Sequence, residues 1–388
     1  MEFKKYTAVL LFLVGMLIAN AQPFAIGYRS ENFVDVARNN RTIATDVYYP
    51  ALENGTNTNF AQTTNEFPVI VFGHGFVMTV DAYQNFVDVL VPLGYVVVLP
   101  KTEGTFSPSH QQFGLDLAFL IQHMSVLNTE TNSFYHNKLH PKSVLMGHSM
   151  GGGAATLAAQ SFQKNVVLAT FAPAETNPSA ISAASQISIP SIVFAGANDC
   201  VTPPQTHQMP IYNALNSSCK QYISIIGGSH CQMANSNLFC NIGENSCTPT
   251  PSISRQTQHQ HLFSLLLPWL RFHLFEDCTA GAQFDALAEN TSQWLVNTDC
   301  QLCTLTNVPH PNQGWDIDFF PNPNTGEIVV KPQPNEVLNI RIYDPNGKII
   351  FAKIIEQQIL IQLPQTAGFY VLHATNQSQS ATYKLLRK

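Results

Sequence analysis

A serine flanked by two glycines is the first feature of this chain that could do chemistry. The segment Gly147-His148-Ser149-Met150-Gly151 follows an apolar run, Val144–Met146, and precedes an alanine-rich stretch, residues 154–159. This order predicts a strand, a sharp turn and a helix, with the Ser149 hydroxyl at the tip of the turn. The flanking glycines stand where a side chain would strike neighbouring backbone. A serine presented in this way can attack a carbonyl carbon.

A serine hydroxyl is a weak nucleophile until a base takes its proton and a third group orients that base. Asp199 follows the apolar run Ile192–Phe194, and His230 follows the run Tyr222–Ile226. The chain order Ser, Asp, His is the one used by the strand–turn–helix serine motif. We therefore predict a catalytic triad of Ser149, Asp199 and His230. The alternatives are an aspartate that only shapes a turn and a histidine that only supports a loop.

The tetrahedral intermediate of such a reaction needs two N–H donors for its oxyanion. One is predicted at Met150, directly after the nucleophile, and the other at Phe76, in the loop that follows the apolar run Phe67–Phe72. Hydrophobic residues around these positions suggest an apolar acyl or alkyl group in the substrate. The predicted substrate contacts are Phe76, Met150, Pro173, Val201 and Met233.

Short apolar runs alternate with helical patterns over most of the chain. This alternation predicts an α/β fold with a mostly parallel central sheet and helices on both faces. Helices are predicted over Phe113–Met124 and Gln258–Phe275. The predicted strands are Thr42–Tyr49, Phe67–Phe72, Tyr95–Leu99, Ser143–Met146, Val166–Phe171, Ser191–Phe194 and Tyr222–Ile226.

The character of the chain changes near its C-terminus. Residues 307–318 read as a polar linker, and residues 319–388 contain short alternating strands separated by turns, which predicts a small all-β sandwich. The N-terminus has two lysines, an apolar stretch and a small-residue cleavage site, which predicts a signal peptide over residues 1–21. A short membrane anchor is the alternative. The catalytic domain is then expected to cover residues 22–306.

Composition excludes some functions. The chain has 388 residues, of which 11% are charged, and its net charge of −6 argues against a nucleic-acid partner. After the N-terminus no stretch is apolar and long enough to span a membrane. No cofactor is implied. A zinc site would be the rival use of the cysteines, but Cys300 and Cys303 form a single isolated pair, so we predict no metal.

Residues 40–300 resemble the α/β-hydrolase superfamily. Within it they are similar to the dienelactone-hydrolase-like and cutinase-like branch, which includes bacterial polyester hydrolases. The matching pieces are Gly73-His74-Gly75-Phe76, Gly147–Gly153, Asn198-Asp199 with Thr202-Pro203 and Pro210-Ile211-Tyr212, Gly227-Gly228-Ser229-His230, and Trp269–Phe272. The resemblance implies a serine carboxylic-ester hydrolase that forms an acyl-enzyme.

Two departures from that branch bear on substrate. Cutinase-like enzymes carry a tryptophan in the loop that corresponds to residues 172–177, and this chain has none there. Good activity on soluble or aliphatic esters, and weaker activity on aromatic polyester, are therefore expected. The chain also has a longer, cysteine-bearing insertion, Cys231–Cys247. A lipase or phospholipid acyl hydrolase of the same mechanism is one alternative, and a non-catalytic surface binding protein on a hydrolase fold is another.

The last 70 or so residues resemble the sorting domain of type IX secretion. The resemblance rests on Phe320–Gly326, Ile342–Lys348, Gly368-Phe369-Tyr370 and the basic end Tyr383–Lys388. It implies export by the type IX secretion machinery to the outside or the surface of the cell. A β-sandwich that binds a carbohydrate or another partner is the alternative.

Eight cysteines in an exported chain suggest disulfides. Because Asp199 and His230 are expected to touch, their next neighbours are expected to form a Cys200–Cys231 bridge, with free thiols as the alternative. Cys240–Cys247 is predicted from proximity in sequence. Cys278–Cys300 follows from the resemblance to the C-terminal bridge of cutinase-like enzymes, which leaves Cys219–Cys303 by elimination.

Overall fold

The computed structural model describes residues 23–303 and 317–387, with gaps at 323, 334–335, 345–347, 365, 367 and 377–379. The chain divides into two compact units after Cys303. The predicted signal peptide and nearly all of the predicted linker lie outside the described residues. No helix within these ranges combines the length and apolarity needed to cross a bilayer.

The first unit is built on a ten-stranded sheet in the order β10-β9-β8-β7-β6-β4-β5-β2-β1-β3. Its strands are β1 Ala25–Asp35, β2 Arg41–Ala51, β3 Gly55–Thr56, β4 Phe67–Gly73, β5 Val96–Pro100, β6 Leu139–His148, β7 Val166–Phe171, β8 Ser191–Gly196, β9 Lys220–Ile225 and β10 Trp294–Thr298. Its helices are α1 Gln84–Leu90, α2 His110–Thr129, α3 Met150–Ala159, α4 Ala180–Ala184, α5 Gln208–Ala214, α6 Leu238–Glu244, α7 Arg255–Phe275 and α8 Cys278–Leu287.

Strands β4 to β9 are parallel, and antiparallel strands extend the sheet at both sides. The central strands are apolar throughout because both of their faces are covered. In β4, Val69 and Val71 pack into one core with α2 and α3, whereas Ile70 and Phe72 pack into the other with α1 and α7. The predicted fold class, a mostly parallel sheet between two helical layers, is confirmed.

The sheet is wider than the sequence predicts. Strand β1 was not expected, because its polar residues alternate with half-buried ones along the antiparallel edge of the sheet. Strand β10 was also not expected, since only Trp294 among its five residues is buried. Both strands lie outside the parallel core, and so they lack the continuous apolar run that marks a central strand.

The second unit consists of two antiparallel sheets, β11-β12-β15 and β14-β13-β16-β17. Side chains from both sheets, Ile328 and Leu372 among them, form a core of their own. The predicted all-β tail is confirmed. Its strands are β11 Asp318–Phe320, β12 Glu327–Lys331, β13 Leu338–Tyr343, β14 Ile349–Ile355, β15 Ile359–Gln362, β16 Gly368–Thr375 and β17 Ser380–Arg387.

Candidate functional site

Ser149 occupies a strained turn between β6 and α3. Its backbone has φ of 57° and ψ of −123°, a conformation that residues other than glycine rarely adopt. Two hydrogen bonds hold the turn: Ser149 N–H donates to Phe171 O at 3.0 Å, and Ala174 N–H donates to Ser149 O at 2.9 Å. The strain is thus maintained by the neighbouring strand β7 and the loop after it.

The glycines of the serine motif are required by close packing. A Cβ at Gly147 would overlap the backbone of Gly151 and Gly152. A Cβ at Gly151 would overlap the carbonyl groups of Gly73 and His74, which end β4 and begin the next loop. The helix α3 therefore lies directly against the loop after β4.

His230 and Asp199 form a bonded pair at the C-terminal ends of β8 and β9. His230 Nδ1 donates to Asp199 Oδ2 over 2.8 Å, and the side chains are 2% and 0% exposed. The Nδ1 proton is assigned from its carboxylate partner, which can only accept when ionised. This bond leaves His230 Nε2 free to act as a base.

His230 also lies against the serine turn. The rings of His148 and His230 are 4.7 Å apart between centroids, and His148 directly precedes Ser149. No hydrogen bond joins the Ser149 hydroxyl to His230 in the described part of the chain. The fold thus brings the three predicted residues to one edge of the sheet, with the acid and the base already bonded.

Two residues to which the sequence analysis assigned no role, Thr202 and Gln208, complete the surroundings of Asp199. The amide of Gln208 donates to Asp199 Oδ2 over 2.7 Å, and the hydroxyl of Thr202 lies 3.0 Å from the same oxygen. The backbone N–H groups of Val201 and Thr202 donate to Asp199 Oδ1, each over 2.9 Å. Every neighbour of the carboxylate can therefore donate a hydrogen bond. Thr202 follows Asp199 closely in sequence, but no sequence signal marks Gln208 on α5.

The predicted oxyanion donors leave the sheet from adjacent strand ends. Gly73 of β4 pairs with Gly147 of β6, and Phe76 and Met150 each follow three residues later. Met150 is the first residue of α3, so its N–H has no acceptor within the helix. The register therefore brings both predicted donors to the same edge as Ser149.

The five predicted substrate contacts differ in exposure. Phe76 is 48% exposed and Val201 is 37% exposed. Met150 and Pro173 are buried, and Pro173 packs against Gly152. Met233 is fully buried in the core beneath α1 and α7, so its prediction as a substrate contact is wrong. It follows His230 in a 3-10 turn that points its side chain into the protein.

An aromatic ridge, formed by Phe76, Phe106 and Phe239, runs outward from the candidate site. Phe106 makes edge-to-face contacts with both neighbours, at 6.3 Å to Phe76 and 5.9 Å to Phe239. Phe106 is 74% exposed and Phe239 is 48% exposed. On the same helix, α6, Leu238 and Ile242 are also exposed. This ridge was not predicted, because its members come from three distant parts of the chain.

Charged groups near the ridge are already paired. Within Cys231–Cys247 the only charged residue is Glu244, which accepts the Cys231 N–H over 3.0 Å. Arg255, at the start of α7, donates to the carbonyl oxygens of Cys231 and Ala234. Burial lowers the pKa of the Arg255 guanidinium, and Glu244 opposes that shift. The segment Cys231–Cys247 is thus held by these hydrogen bonds, and the outer face that it presents is uncharged.

All four predicted disulfide pairings are wrong, although all eight cysteines are bridged, which excludes free thiols. The structure pairs Cys200 with Cys247, Cys231 with Cys240, Cys219 with Cys300 and Cys278 with Cys303, with Cα–Cα separations of 5.0–5.7 Å.

The first error concerns Cys200 and Cys231. Their loops do lie side by side, but Cys231 is buried and begins a 3-10 turn, whereas Cys200 is exposed. The two side chains therefore face different surroundings, and each bridges to the insertion. The predicted pair Cys240–Cys247 does not form, because Cys240 bonds to Cys231 and Cys247 bonds to Cys200.

The second error follows from the unrecognised strand β10. Gln221 of β9 lies opposite Thr298 of β10, so Cys219 and Cys300 meet two residues further along this antiparallel pair. Because Cys219 and Cys300 bond to each other, neither the predicted Cys278–Cys300 bridge nor the predicted Cys219–Cys303 bridge can form. Cys278, the first residue of α8, pairs with Cys303 at the end of the unit.

Comparisons with known proteins identify a family for each part of the chain. Residues 17–247 match the sequence profile of a family described as PET hydrolase-like, and residues 318–388 match a secretion system C-terminal sorting domain. The tail is thus a type IX sorting domain, which marks the chain for secretion or display at the cell surface.

Three cutinases of the genus Thermobifida illustrate the similarity. Cutinase 1 of Thermobifida cellulosilytica is 24% identical over 178 residues, which cover 45% of this chain and 65% of that protein. Cutinase of Thermobifida fusca (strain YX) is 24% identical over 178 residues, 45% of this chain and 56% of that protein. Cutinase est1 of Thermobifida alba is 23% identical over 179 residues, 45% and 57% respectively. The matched part thus spans less than two thirds of each relative.

Proposed function

This chain belongs to the PET hydrolase-like family, and on that premise we propose that it is a secreted serine carboxylic-ester hydrolase. The observation that carries the proposal is the buried pair of His230 and Asp199, bonded over 2.8 Å beside the strained turn of Ser149. An isolated buried carboxylate would be costly, and four further donors around Asp199 satisfy its oxygens and fix its position.

In the proposed reaction Ser149 Oγ attacks the ester carbonyl carbon while His230 Nε2 takes its proton. The N–H groups of Phe76 and Met150 stabilise the oxyanion of the tetrahedral intermediate. His230 then returns the proton to the leaving alkoxide, which departs as an alcohol and leaves an acyl group on Ser149. Water, deprotonated by His230, releases the carboxylic acid by the reverse sequence of steps. Asp199 orients His230 and stabilises the imidazolium that forms in each half.

Covalent labelling tests the nucleophile and the function together. A fluorophosphonate should modify the wild-type protein once, and peptide mapping should place the adduct on the tryptic peptide that contains Ser149. Hydrolysis of p-nitrophenyl butyrate should stop in proportion to labelling. A protein that neither reacts with the probe nor hydrolyses the ester would instead be the non-catalytic binding protein.

We further propose that the substrate carries a neutral, apolar chain which extends along the aromatic ridge. Phe106→Ala and Phe239→Ala, combined, should lower product release from an aliphatic polyester film at least about tenfold, because fully burying even one such ring against an apolar partner is worth about 1.5–3 kcal/mol. Turnover of p-nitrophenyl acetate, which is too short to reach Phe106, should stay within about twofold.

Phe275→Ala is the matched control for the ridge. This phenylalanine is similarly exposed, but it packs against His140 near the N-terminal end of β6, opposite the serine end of that strand. If product release from the film fell equally in the ridge variant and in the control variant, the ridge would not be part of the substrate site. Triglyceride, phospholipid and aromatic polyester in the same panel separate the lipase alternative and test the expected preference for aliphatic esters.

A further inference from the structure

A buried chain of hydrogen bonds joins the loop that carries Phe76 to the loop that carries His230. Gly75 N–H lies 2.7 Å from the Tyr83 hydroxyl oxygen. That oxygen is 3.0 Å from His148 Nδ1, and His148 Nε2 is 3.1 Å from the carbonyl oxygen of His230. Tyr83 and His148 are both fully buried. In the sheet, β4 and β9, which lead into the two loops, are separated by three other strands.

The direction of each bond follows from the atoms involved. A carbonyl oxygen can only accept, so His148 Nε2 carries a hydrogen and donates it to His230. Burial lowers the pKa of His148 well below its usual value, so the ring is neutral, and with the hydrogen on Nε2 the Nδ1 atom carries none. Tyr83 must then donate to His148 Nδ1, and its oxygen accepts the Gly75 N–H.

One further contact fits this assignment. Met78 Sδ lies 3.2 Å from the Tyr83 hydroxyl, but a thioether is a weak acceptor and the hydroxyl has a single hydrogen. A Cβ at Gly75 would lie 2.7 Å from that sulfur and 3.1 Å from the hydroxyl oxygen. Glycine at this position therefore allows its N–H to reach Tyr83.

We propose that Tyr83 and His148 are positioning residues, which fix the oxyanion donor at Phe76 relative to the base at His230. One end of this series of hydrogen bonds holds the N–H of Gly75, one residue before Phe76, and the other end holds the carbonyl oxygen of His230 itself. The inference rests on the proposed ester hydrolysis. It explains why a fully buried polar ring stands next to the nucleophile, a position that the serine chemistry alone leaves open.

The first test replaces the hydroxyl alone. Tyr83→Phe should lower kcat for p-nitrophenyl butyrate about 10-fold to 100-fold, because small displacements of catalytic groups are costly, and should leave KM within about twofold. Tyr135→Phe is the matched control. Its hydroxyl is buried and has no hydrogen-bond partner among the described residues, so its loss should leave kcat unchanged.

The second test replaces His148, the other side chain in this series of hydrogen bonds. His148→Leu removes both bonds and should lower kcat at least as much as Tyr83→Phe. His148→Gln can place a donor near the former Nε2 and should recover part of that loss. Because the two residues act as one unit, the double variant Tyr83→Phe with His148→Leu should be no slower than His148→Leu alone. If Tyr83→Phe does not fold, the comparison of His148→Gln with His148→Leu decides the question.

The outcomes separate this inference from the proposed function. If Ser149→Ala keeps its activity, the ester-hydrolase mechanism itself is wrong. If Ser149→Ala is inactive while Tyr83→Phe matches Tyr135→Phe in kcat, positioning is excluded and Tyr83 serves stability alone. Losses in kcat that multiply in the double variant would show two independent effects and would also overturn the proposal.

Discussion

Replacing Ser149 by alanine is expected to lower kcat for p-nitrophenyl butyrate by about five to six orders of magnitude, the loss typical of removing a serine nucleophile. The backbone should not change, because alanine has the same Cβ as serine at φ of 57° and so bears the same strain. The melting temperature should therefore stay close to that of the wild type. Steady-state kinetics and a thermal scan on the same preparation measure both quantities.

Ser191→Ala is the control for that experiment. Ser191 is also buried, but it begins β8, at the sheet edge opposite the candidate site, where its hydroxyl donates to Ile189 O. Its activity should match the wild type. More than about 1% residual activity in Ser149→Ala, after contaminating esterases are excluded, would show that another group is the nucleophile.

Asp199→Asn is expected to lower kcat by about four orders of magnitude, as a triad with the wrong histidine tautomer does. The surroundings make this exchange especially unfavourable here. The Asp199 carboxylate accepts from His230, from the Gln208 amide and from the N–H groups of Val201 and Thr202. An asparagine NH₂ must face at least one of these donors, so the substitution leaves buried groups mispaired whichever way the amide turns.

Asn198→Ala tests whether that effect is specific. Asn198 is the neighbouring residue, and its side chain only donates to Thr250 O at the surface. Its loss should change kcat by less than about threefold. If Asp199→Asn and Asn198→Ala had similar activities, Asp199 would not be the group that orients His230.

The central features of the site were predictable because they are local in sequence. The strained turn at Ser149 follows from a short apolar run, two glycines and a helix start. Asp199 and His230 follow from their places after apolar runs and from their order along the chain. In parallel strands the C-terminal ends all meet at one edge, so order along the chain is enough to bring such residues together.

The parts that were missed depend on contacts between distant residues of unremarkable type. Gln208 and Tyr83 are ordinary helix and turn residues, and only the fold places one on Asp199 and the other on His148. The predictions of the disulfide pairings failed because the proximity of two loops does not determine where their side chains point. The pairing of Cys219 with Cys300 required the strand β10, whose five residues include a single buried one.

The insertion between Cys231 and Cys247 bears on how the sequence of this protein can be changed. One disulfide ties Cys240 of α6 to Cys231, which follows His230, and another ties Cys247 to Cys200, which follows Asp199. No residue of its helix α6 is buried, and Cys240 is the one residue of this helix that packs against the core. Cross-links of this kind limit the disorder available to the segment. We therefore expect the exposed residues of the insertion to be exchangeable, so that they can be varied to alter substrate preference while the bridging cysteines and Glu244 are kept.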